Sequence, residues 1–528
     1  MIKLHPKRLA RSLRLVLVVA GLLLSAQAAT FAQTDTGRIV GTVRDPNNAV
    51  IPGATVVVRN ERTGGERTAT ATDEGIYLIQ SLKASVYTVT ISAQNFQTVK
   101  TTGMQLNVGQ ELTLDLVIKP GLSEQVDVVA SDEAALDTGS ARIGANVNPR
   151  EVEELPVNGR QLSQLYLQAP GSVNTGSGTF GDIRFAGRAV EQNVIRYDGV
   201  EGTGIIDASP GNLNGEVPSP FRLQSSLENV QEFRVDSSNF PAEYGTGTGG
   251  QINVVTKSGS NDFHGSVFEY LRNNVLDARN FFDLAKSPLR LNQFGGSVGG
   301  PVKKDKAFFF FSYEGYRLRT GINNIEAVPS ASACARAVAS IVPFCGSFRG
   351  PGAVIIPGSS SSPDFDIAQL SASVKTDENS FATRFDVRLN EKNSMYFRFF
   401  RDHGTNEAPE GVSGRRVFID ALPQNGVLAF QSILTPSLIN EAKIGFNEAR
   451  TRINGFAPTV SGLDFSAISL NISGSVAISG IAGQGTSSGV SAPGGLVRAN
   501  SATNGRGQPY TPYSVSFIDN LSWTKGNH

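Results

Sequence analysis

A two-residue alternation runs through the segment Phe381–Phe400, FATRFDVRLNEKNSMYFRFF. In its first half the odd positions are apolar residues or threonine, whereas Arg384, Asp386 and Arg388 occupy even positions between them. A period of two indicates a β-strand with one apolar face and one polar face. The apolar face must contact either a protein core or lipid, and this choice separates a soluble β-sandwich from a membrane barrel.

Strand candidates of this kind recur through residues 259–528, and short and long links alternate between them. They lie near Gly265–Leu271, Leu291–Gly299, Lys306–Leu318, Ser380–Leu389, Ser394–Asp402, Gly426–Leu434, Asn440–Arg450 and Tyr513–Thr524. The long links are Arg319–Asn379, His403–Asn425 and Thr451–Pro512. Short periplasmic turns and long outer loops alternate in this way in outer-membrane barrels. We therefore predict that residues 259–528 form about eight strands of a transmembrane antiparallel β-barrel, with their apolar faces on lipid.

The N-terminus has the order of a secretory signal peptide. Basic residues precede the apolar run LVLVVAGLLL, and small residues follow it around Ala26–Ala28. The run is shorter than the roughly 20 residues that a spanning helix needs, so an uncleaved anchor is the weaker interpretation. We predict that residues 1–32 are a signal peptide that exports the chain.

Composition restricts the remaining classes of function. The net charge is +0 and charged residues make up 18% of the chain, which gives no basic field for nucleic acid. With 4 His and 2 Cys, the chain lacks the residues of a zinc cluster. The glycine pattern Gly245–Gly250 matches a dinucleotide fingerprint but precedes the β-branched run INVVT rather than a helix. We find no catalytic constellation and predict a protein that is not an enzyme, with no cofactor and no metal.

The region before the barrel divides into two predicted domains. Residues 33–120 contain six or seven short strand-like runs separated by turns, which is typical of a small β-sandwich. Residues 139–258 have a mixed α+β pattern. There Asn148 before Pro149 indicates a helix N-terminus, Leu162 and Leu165 share a face of another short helix, and Ser225 with Glu228 has capping-box spacing. The predicted fold is mainly β, with a sandwich, an α+β domain and an incomplete barrel.

Residues 121–138 connect these two domains. A short β-prone run, Val126–Val129, lies there among acidic and small residues. Its simplest interpretation is a linker. The alternative is an extended peptide that another protein binds by adding a strand.

Three stretches resemble the TonB-dependent outer-membrane receptors, specifically the Oar-like type with an N-terminal carboxypeptidase-regulatory-like domain. The first is in the predicted sandwich, the second spans the end of the α+β domain and the start of the barrel, and the third is in the barrel. Their sequences are GTVRDPNNAVIPGATVVVRN with TDEGIYLIQSLKASVYTVTI, VIRYDGVEG with ENVQEFRVDSSNFPAEYGTGTGGQINVVTKSGSNDFHGSVFEYLRN, and GGSVGGPVKKDKAFFFFSYEG.

The resemblance implies an outer-membrane barrel of about 22 strands whose lumen is closed by residues 139–258 as a plug. It implies that an extracellular substrate enters through this barrel and that periplasmic TonB supplies the energy. The TonB-contacting box maps onto Asp127, Val128, Val129 and Ala130. The substrate class, whether glycan, peptide or metal chelate, does not follow from these residues. Because more than half of the implied strands are missing, we expect this chain to be the N-terminal part of a longer polypeptide.

The two cysteines, Cys334 and Cys345, lie in the long link Arg319–Asn379, which barrel topology places outside the cell. In an exported chain, two cysteines so close in sequence favour a disulfide that closes this loop. Two free thiols are the alternative.

Two other functions use the same predicted fold. A surface adhesion or assembly protein would use the barrel as an anchor for long loops. A secreted carbohydrate-binding β protein would use the sandwich as its binding module, although the sandwich has few aromatic residues for sugar stacking.

Overall fold

The computed structural model describes residues 35–121, 125–129, 141–175, 183–203, 225–240, 244–279, 286–340, 342, 345, 349–360, 362–409, 411–412, 416–456, 459–460, 463–464, 471–477, 486–491 and 511–524. Strands dominate this part of the chain, and their main groups are a sandwich, an α+β unit and one large antiparallel sheet. The mainly β fold class is therefore confirmed. The predicted signal peptide lies outside the described residues.

The sandwich consists of two small sheets that pack face to face. Its strands, with one that joins from the linker, are β1 (Thr36–Arg44), β2 (Thr55–Asn60), β3 (Glu66–Thr70), β4 (Ile76–Lys83), β5 (Ser85–Ser92), β6 (Thr98–Leu106), β7 (Glu111–Thr113), β8 (Leu116–Val117) and β9 (Gln125–Val129). In one sheet β1 pairs with β4, β7 and β8, and the other has the order β3-β2-β5-β6-β9. Alternate side chains, such as Ile39, Val58 and Ile91, are completely buried between the sheets.

The α+β unit, here called the plug, has the strands β10 (Ile143–Val147), β11 (Ser172–Asn174), β12 (Ile183–Phe185), β13 (Val194–Tyr197), β14 (Val200–Glu201), β15 (Val230–Ser238) and β16 (Gln251–Thr256). They form a five-stranded sheet of order β10-β15-β16-β13-β14 and a separate pair of β11 and β12. Its helices are α1 (Pro149–Glu154) and the 3₁₀ helices Asn158–Arg160, Leu162–Gln168, Val190–Gln192 and Leu227–Asn229. The side chains of Tyr166 and Phe233 pack edge to face in its core, with ring centroids 5.4 Å apart.

The helix ends of the plug match the sequence in one case and differ in another. Asn148 and Glu151 form a complete capping box at α1, which confirms the predicted start. The predicted cap at Ser225 is wrong, because the Ser226 hydroxyl accepts the backbone N–H of Glu228 at 3.1 Å. This helix is a single 3₁₀ turn, which is tighter than an α-helix, so the cap lies one residue closer.

The third body is one antiparallel sheet. Its strands are β17 (His264–Asn273), β18 (Leu289–Lys303), β19 (Ala307–Pro329), β20 (Val354–Ile355), β21 (Phe365–Arg388), β22 (Asn393–Pro409), β23 (Arg416–Thr435), β24 (Leu438–Phe456) and β29 (Tyr513–Trp523). The sheet has the order β17-β18-β19-β21-β22-β23-β24-β29, with β20 added beside β21. Two hairpins pair β25 (Thr459–Val460) with β26 (Leu463–Asp464) and β27 (Asn471–Ala477) with β28 (Thr486–Ser491). Helix α2 (Ala331–Arg336) follows β19. Among the described residues the end strands β17 and β29 do not pair, so the sheet is open.

The two faces of this sheet have opposite character, as the alternation predicts. Phe385, Phe397 and Ile444 are about 40–50% exposed on the outer face. Arg384 and Lys443 are almost completely buried on the inner face. These inward charges contact the plug: Arg384 donates to the Asp198 carboxylate and Lys443 to the Asp198 backbone carbonyl.

Two predicted long links are shorter than expected. Strand β22 continues to Pro409 and strand β23 begins at Arg416, so most of the link 403–425 is strand. Likewise β19 and β21 extend into the link 319–379, and Val328 and Ile367 are part of a separate small apolar cluster there. The regular alternation of apolar and polar residues ends before these strands end. The sequence pattern therefore did not predict the extended parts of the strands.

None of the helices in the described part of the chain has the length and apolar character needed to cross a bilayer.

Candidate functional site: the plug–barrel interface

The carboxylate of Asp198 lies where the plug meets the inner face of the large sheet, and the residue is only 2% exposed. Its Oδ1 accepts from Nη1 of Arg384 at 3.2 Å, and its Oδ2 accepts from Nε of Arg398 at 3.0 Å. The backbone N–H and the hydroxyl of Thr256 donate to the same two oxygens at 3.0 and 2.8 Å. Two arginines of the sheet and one plug strand therefore hold a single plug carboxylate.

A tight turn places this carboxylate. Tyr197 and Val200 pair at the ends of β13 and β14, and Asp198 and Gly199 form the two-residue connection between them. Both connecting residues have positive φ, +51° and +83°. Asp-Gly is a preferred sequence for this hairpin turn because both residues accept the left-handed conformation. The turn projects Asp198 out of the plug at its tip.

Asp198 stays ionised in spite of its burial. Burial raises the pKa of the carboxyl group, but the charges of Arg384 and Arg398 and the two hydrogen bonds from Thr256 lower it more. The net effect is a pKa below the ordinary value. The interface therefore contains a fixed negative charge that faces fixed positive charges.

Further charges extend this contact. Arg384 also pairs with Asp386 through Nε at 2.8 Å, and Lys83 of the sandwich reaches Asp386 at 3.1 Å. The Lys443 ammonium group donates to the backbone carbonyl of Asp198 at 3.2 Å. All three bodies of the chain therefore meet in one ion network.

A second polar cluster connects the plug to the first strands of the sheet. Arg160 pairs with Glu228 at 2.7 Å within the plug and lies 3.7 Å from Glu314 of β19. The hydroxyl of Ser266 in β17 donates to Glu228 at 2.6 Å, and Ser226 donates to Glu314. Buried carboxylates with this many donors fix position as well as charge.

The sandwich contacts the plug through buried polar groups. The backbone N–H of Val108 donates to Oε1 of Glu232 at 2.5 Å, and Gln231 donates to the carbonyl of Ala84 at 3.1 Å. Burial raises the pKa of Glu232 to about 8, although the Val108 hydrogen bond opposes the shift. We therefore expect this contact to weaken as Glu232 deprotonates near pH 8.

The predicted TonB box is only partly within the described residues. Asp127, Val128 and Val129 belong to β9, which pairs in parallel with β6 of the sandwich. Ala130 lies outside the described residues.

Cys334 and Cys345 form a disulfide in the structure, with Cα atoms 6.0 Å apart. Cys334 belongs to α2, which follows the extended part of β19. The bond closes a loop with a sequence separation of 11 residues.

We expect this disulfide in the exported protein. Trypsin cleavage after the exposed Arg336 separates the two cysteines in sequence, so the fragments should stay joined without reductant and separate with it. Peptide mass mapping with and without reduction measures this directly. A Cys334→Ser/Cys345→Ser variant should be cleaved faster in this loop, because a short cross-link contributes about 3 kcal/mol by restricting the open chain. Recovery of two separate thiol peptides from the unreduced protein would contradict the assignment.

The sequence did not identify the central residues of the interface. The alternation assigned Arg384, Asp386 and Arg388 to the polar face of their strand. It did not single out the partner Asp198 or the second arginine, Arg398. An Asp-Gly turn inside a predicted plug is the available signal, because a turn carboxylate that becomes buried against a barrel wall needs a cationic partner.

The glycine pattern before β16 has a packing role. A Cβ on Gly249 would lie 2.5 Å from Oδ1 of Asn193, and one on Gly250 would lie 2.3 Å from the ring of Phe185. These glycines let two plug segments approach closely. In the described part of the chain, no group of three or more His, Cys, Asp or Glu side chains is placed to hold a metal ion.

Comparison with known proteins agrees with this architecture. The family model of the outer membrane beta barrel domain matches residues 255–346 and 352–528, and that of the carboxypeptidase regulatory-like domain matches residues 38–119. The TonB-dependent transporter Oar of Myxococcus xanthus is 30% identical over 329 residues, which cover 59% of this chain and 29% of that protein. A probable TonB-dependent siderophore receptor, PirA of Acinetobacter baumannii, is 27% identical over 47% of this chain and 30% of its own length.

The outer membrane transporter YddB of Escherichia coli aligns structurally with 72% of this chain and 45% of its own, with 12% identity and a TM-score of 0.46. The chain spans less than a third of the length of the two curated relatives named above.

The barrel-domain match covers more than half of the chain, so the chain belongs to the outer-membrane β-barrel family. Within that family it resembles the TonB-dependent receptors of the Oar-like type with an N-terminal carboxypeptidase-regulatory-like domain. Its location is the outer membrane.

Proposed function

We propose that the complete protein imports a substrate across the outer membrane through a plugged barrel, with TonB as its energy source. Residues 1–32 would direct export, 33–120 form the sandwich, 121–138 carry the TonB box, 139–258 form the plug and 259–528 begin the barrel. The observation that carries the proposal is the buried Asp198 carboxylate, which joins the plug to Arg384 and Arg398 of the barrel wall. A plug held by charges is closed at rest and can be released.

The physical step that follows is the opening of this interface. Buried ion pairs are strong only while water is excluded, and exposed pairs contribute about 0–1 kcal/mol. A pull that lets water reach Asp198 would weaken the charged part of this contact. Its apolar part includes the ring contact of Tyr197 with Phe400 and the packing of Val200 in a cluster with Tyr396. The segment Asp127–Ala130 suits such a pull, because TonB would bind it by strand addition. Strand addition forms several backbone hydrogen bonds side by side.

Deletion of Asp127–Ala130 from the complete protein tests this function. We expect it to abolish binding of the purified protein to the periplasmic domain of TonB and to abolish energised uptake. Uptake is measured in cells with candidate glycans, peptides and metal chelates. Deletion of Ala134–Asp137, four residues of the same linker, is the matched control and should leave TonB binding intact. Equal TonB binding by both deletion variants would overturn the assignment of the box.

A surface adhesion or assembly function is the second candidate. The specific observation in its favour is the extension of β19 and β21 beyond the membrane-facing part, with its own apolar cluster and a disulfide next to it. An adhesin would keep its surface binding after deletion of Asp127–Ala130, whereas an importer would lose uptake.

A further inference from the structure

The segment that carries the proposed TonB box is already part of a β-sheet. The strand β9 pairs in parallel with β6, and the register runs from Thr98 opposite Gln125 to Thr102 opposite Val129. Three of the five paired positions, Asp127 to Val129, belong to the box. The sandwich therefore holds this segment in an extended conformation before any partner arrives.

The chain leading to β9 is also fixed to the sandwich. Ile118 donates its backbone N–H to the carbonyl of Arg44 at 2.9 Å, and Gly121 donates to the carbonyl of Asn95 at 3.1 Å. Phe96 forms an isolated bridge with Pro120. These bonds place the start of the linker beside β6, so pairing of the next segment with this strand needs little extra ordering of the chain.

One edge of β9 stays open. In the described part of the chain β9 ends its sheet, with β6 on one side and no strand on the other. A terminal strand exposes a row of unpaired N–H and C=O groups that another strand can join. β9 has only five residues and includes the charged Asp127, features that limit unspecific pairing at sheet edges.

We propose that the sandwich presents β9 to TonB as the edge strand of a preformed sheet, so that TonB adds its own strand to the open side of β9. The function of the carboxypeptidase-regulatory-like domain in this protein is then to preorganise the TonB-contacting segment. Preorganisation increases affinity because the bound partner no longer has to order a flexible peptide. This inference rests on the proposed importer function. It differs from a mechanism in which β9 must leave β6 before TonB can bind.

A cross-link between β6 and β9 separates these two mechanisms. Thr98 and Gln125 are opposite each other in the register and lie outside the box, so Thr98→Cys/Gln125→Cys joins the strands and leaves Asp127–Ala130 unchanged. The cysteine pair is closed by oxidation or by a short bis-thiol reagent in the complete protein. Binding to the periplasmic domain of TonB is then measured before and after closure. The single Thr98→Cys variant and the wild type receive the same reagents, which controls for effects on Cys334 and Cys345.

We expect the closed variant to bind TonB with a Kd within about twofold of the wild-type value. A loss of affinity of roughly tenfold or more on closure, reversed by reduction of an oxidised pair, would overturn the proposal because β9 must then leave β6. Failure of the two cysteines to cross-link would also overturn it, since the observed register would be wrong. If the wild type does not bind TonB, the importer function fails first and this inference fails with it. If TonB binds equally well without Asp127–Ala130, the assignment of the box fails, and this inference fails with that assignment.

Discussion

Replacement of Asp198 by asparagine is expected to destabilise the plug–barrel interface by about 3–5 kcal/mol. The substitution removes the charge but keeps the size and one acceptor for Thr256. Arg398 is 1% exposed, and Asp198 is the carboxylate with which it pairs in the described part of the chain. Its charge would remain buried without a counter-charge, held only by neutral acceptors such as the backbone carbonyl of Tyr197. Hydrogen exchange of β13 and β14 in the detergent-solubilised complete protein measures the local effect, and thermal unfolding measures the global effect.

Two further variants make this result interpretable. Asp364→Asn removes a carboxylate from an exposed pair with Arg336, so its effect should stay below about 1 kcal/mol. The double variant Asp198→Asn/Arg398→Gln removes both charges of the Asp198–Arg398 pair, while Arg384 keeps Asp386 as its partner, and it should recover part of the lost stability. A single Asp198→Asn variant as stable as Asp364→Asn would show that the buried charge does not hold the plug.

The second large effect is a pH dependence that Glu232 imposes on the contact between sandwich and plug. The folded-state pKa of Glu232 is raised to about 8 by burial, whereas an unfolded glutamate has a pKa of about 4.3. Between these values the folded protein binds more protons than the unfolded protein. The contribution of Glu232 to the free energy of unfolding is therefore fully present below about pH 4. It is lost, at about 1.4 kcal/mol per pH unit, as the pH rises towards 8.

The Glu232→Gln variant should remove this slope. Glutamine keeps an acceptor for the Val108 N–H and cannot ionise, so at pH 8 the variant should be more stable than wild type by up to about 5 kcal/mol. Tyr87 lies nearby, but burial raises its pKa to about 12, so it does not titrate in this range. Denaturant midpoints between pH 5 and 9 measure the slope. The control variant Glu66→Gln, at an exposed site, should keep the wild-type dependence of stability on pH. If Glu232→Gln also kept the wild-type slope, this would contradict the predicted protonation of Glu232.

These two sites give the three bodies different kinds of contact. Asp198 joins plug and barrel through charges that are present on both sides at neutral pH. Glu232 joins plug and sandwich through one backbone donor and a carboxyl group that is buried with little compensation. Deprotonation of Glu232 therefore weakens the contact between sandwich and plug. The contact between plug and barrel weakens when water reaches its charges.

Local periodicity predicted a large part of the fold. The alternation around Phe385 and Phe397 gave the correct outward face, and Asn148 gave the correct helix start. The extent of β22 and β23 was underestimated, because strand pairing beyond the membrane does not require a regular apolar face. The cap at Ser226 was displaced by one residue, because sequence spacing alone does not distinguish a 3₁₀ turn from an α-helix.

The sequence by itself determined where the membrane-facing parts of the strands lie, which side of them is apolar and where a β-prone segment lies between two domains. These properties depend on neighbours one to four positions away, and the chain order contains them directly. Only the tertiary structure decided that Asp198 pairs with Arg384 and Arg398, and that β9 is held by β6. The ion pairs join residues about 200 positions apart in the chain. Such contacts depend on how whole sheets pack against each other, and no local pattern specifies that arrangement.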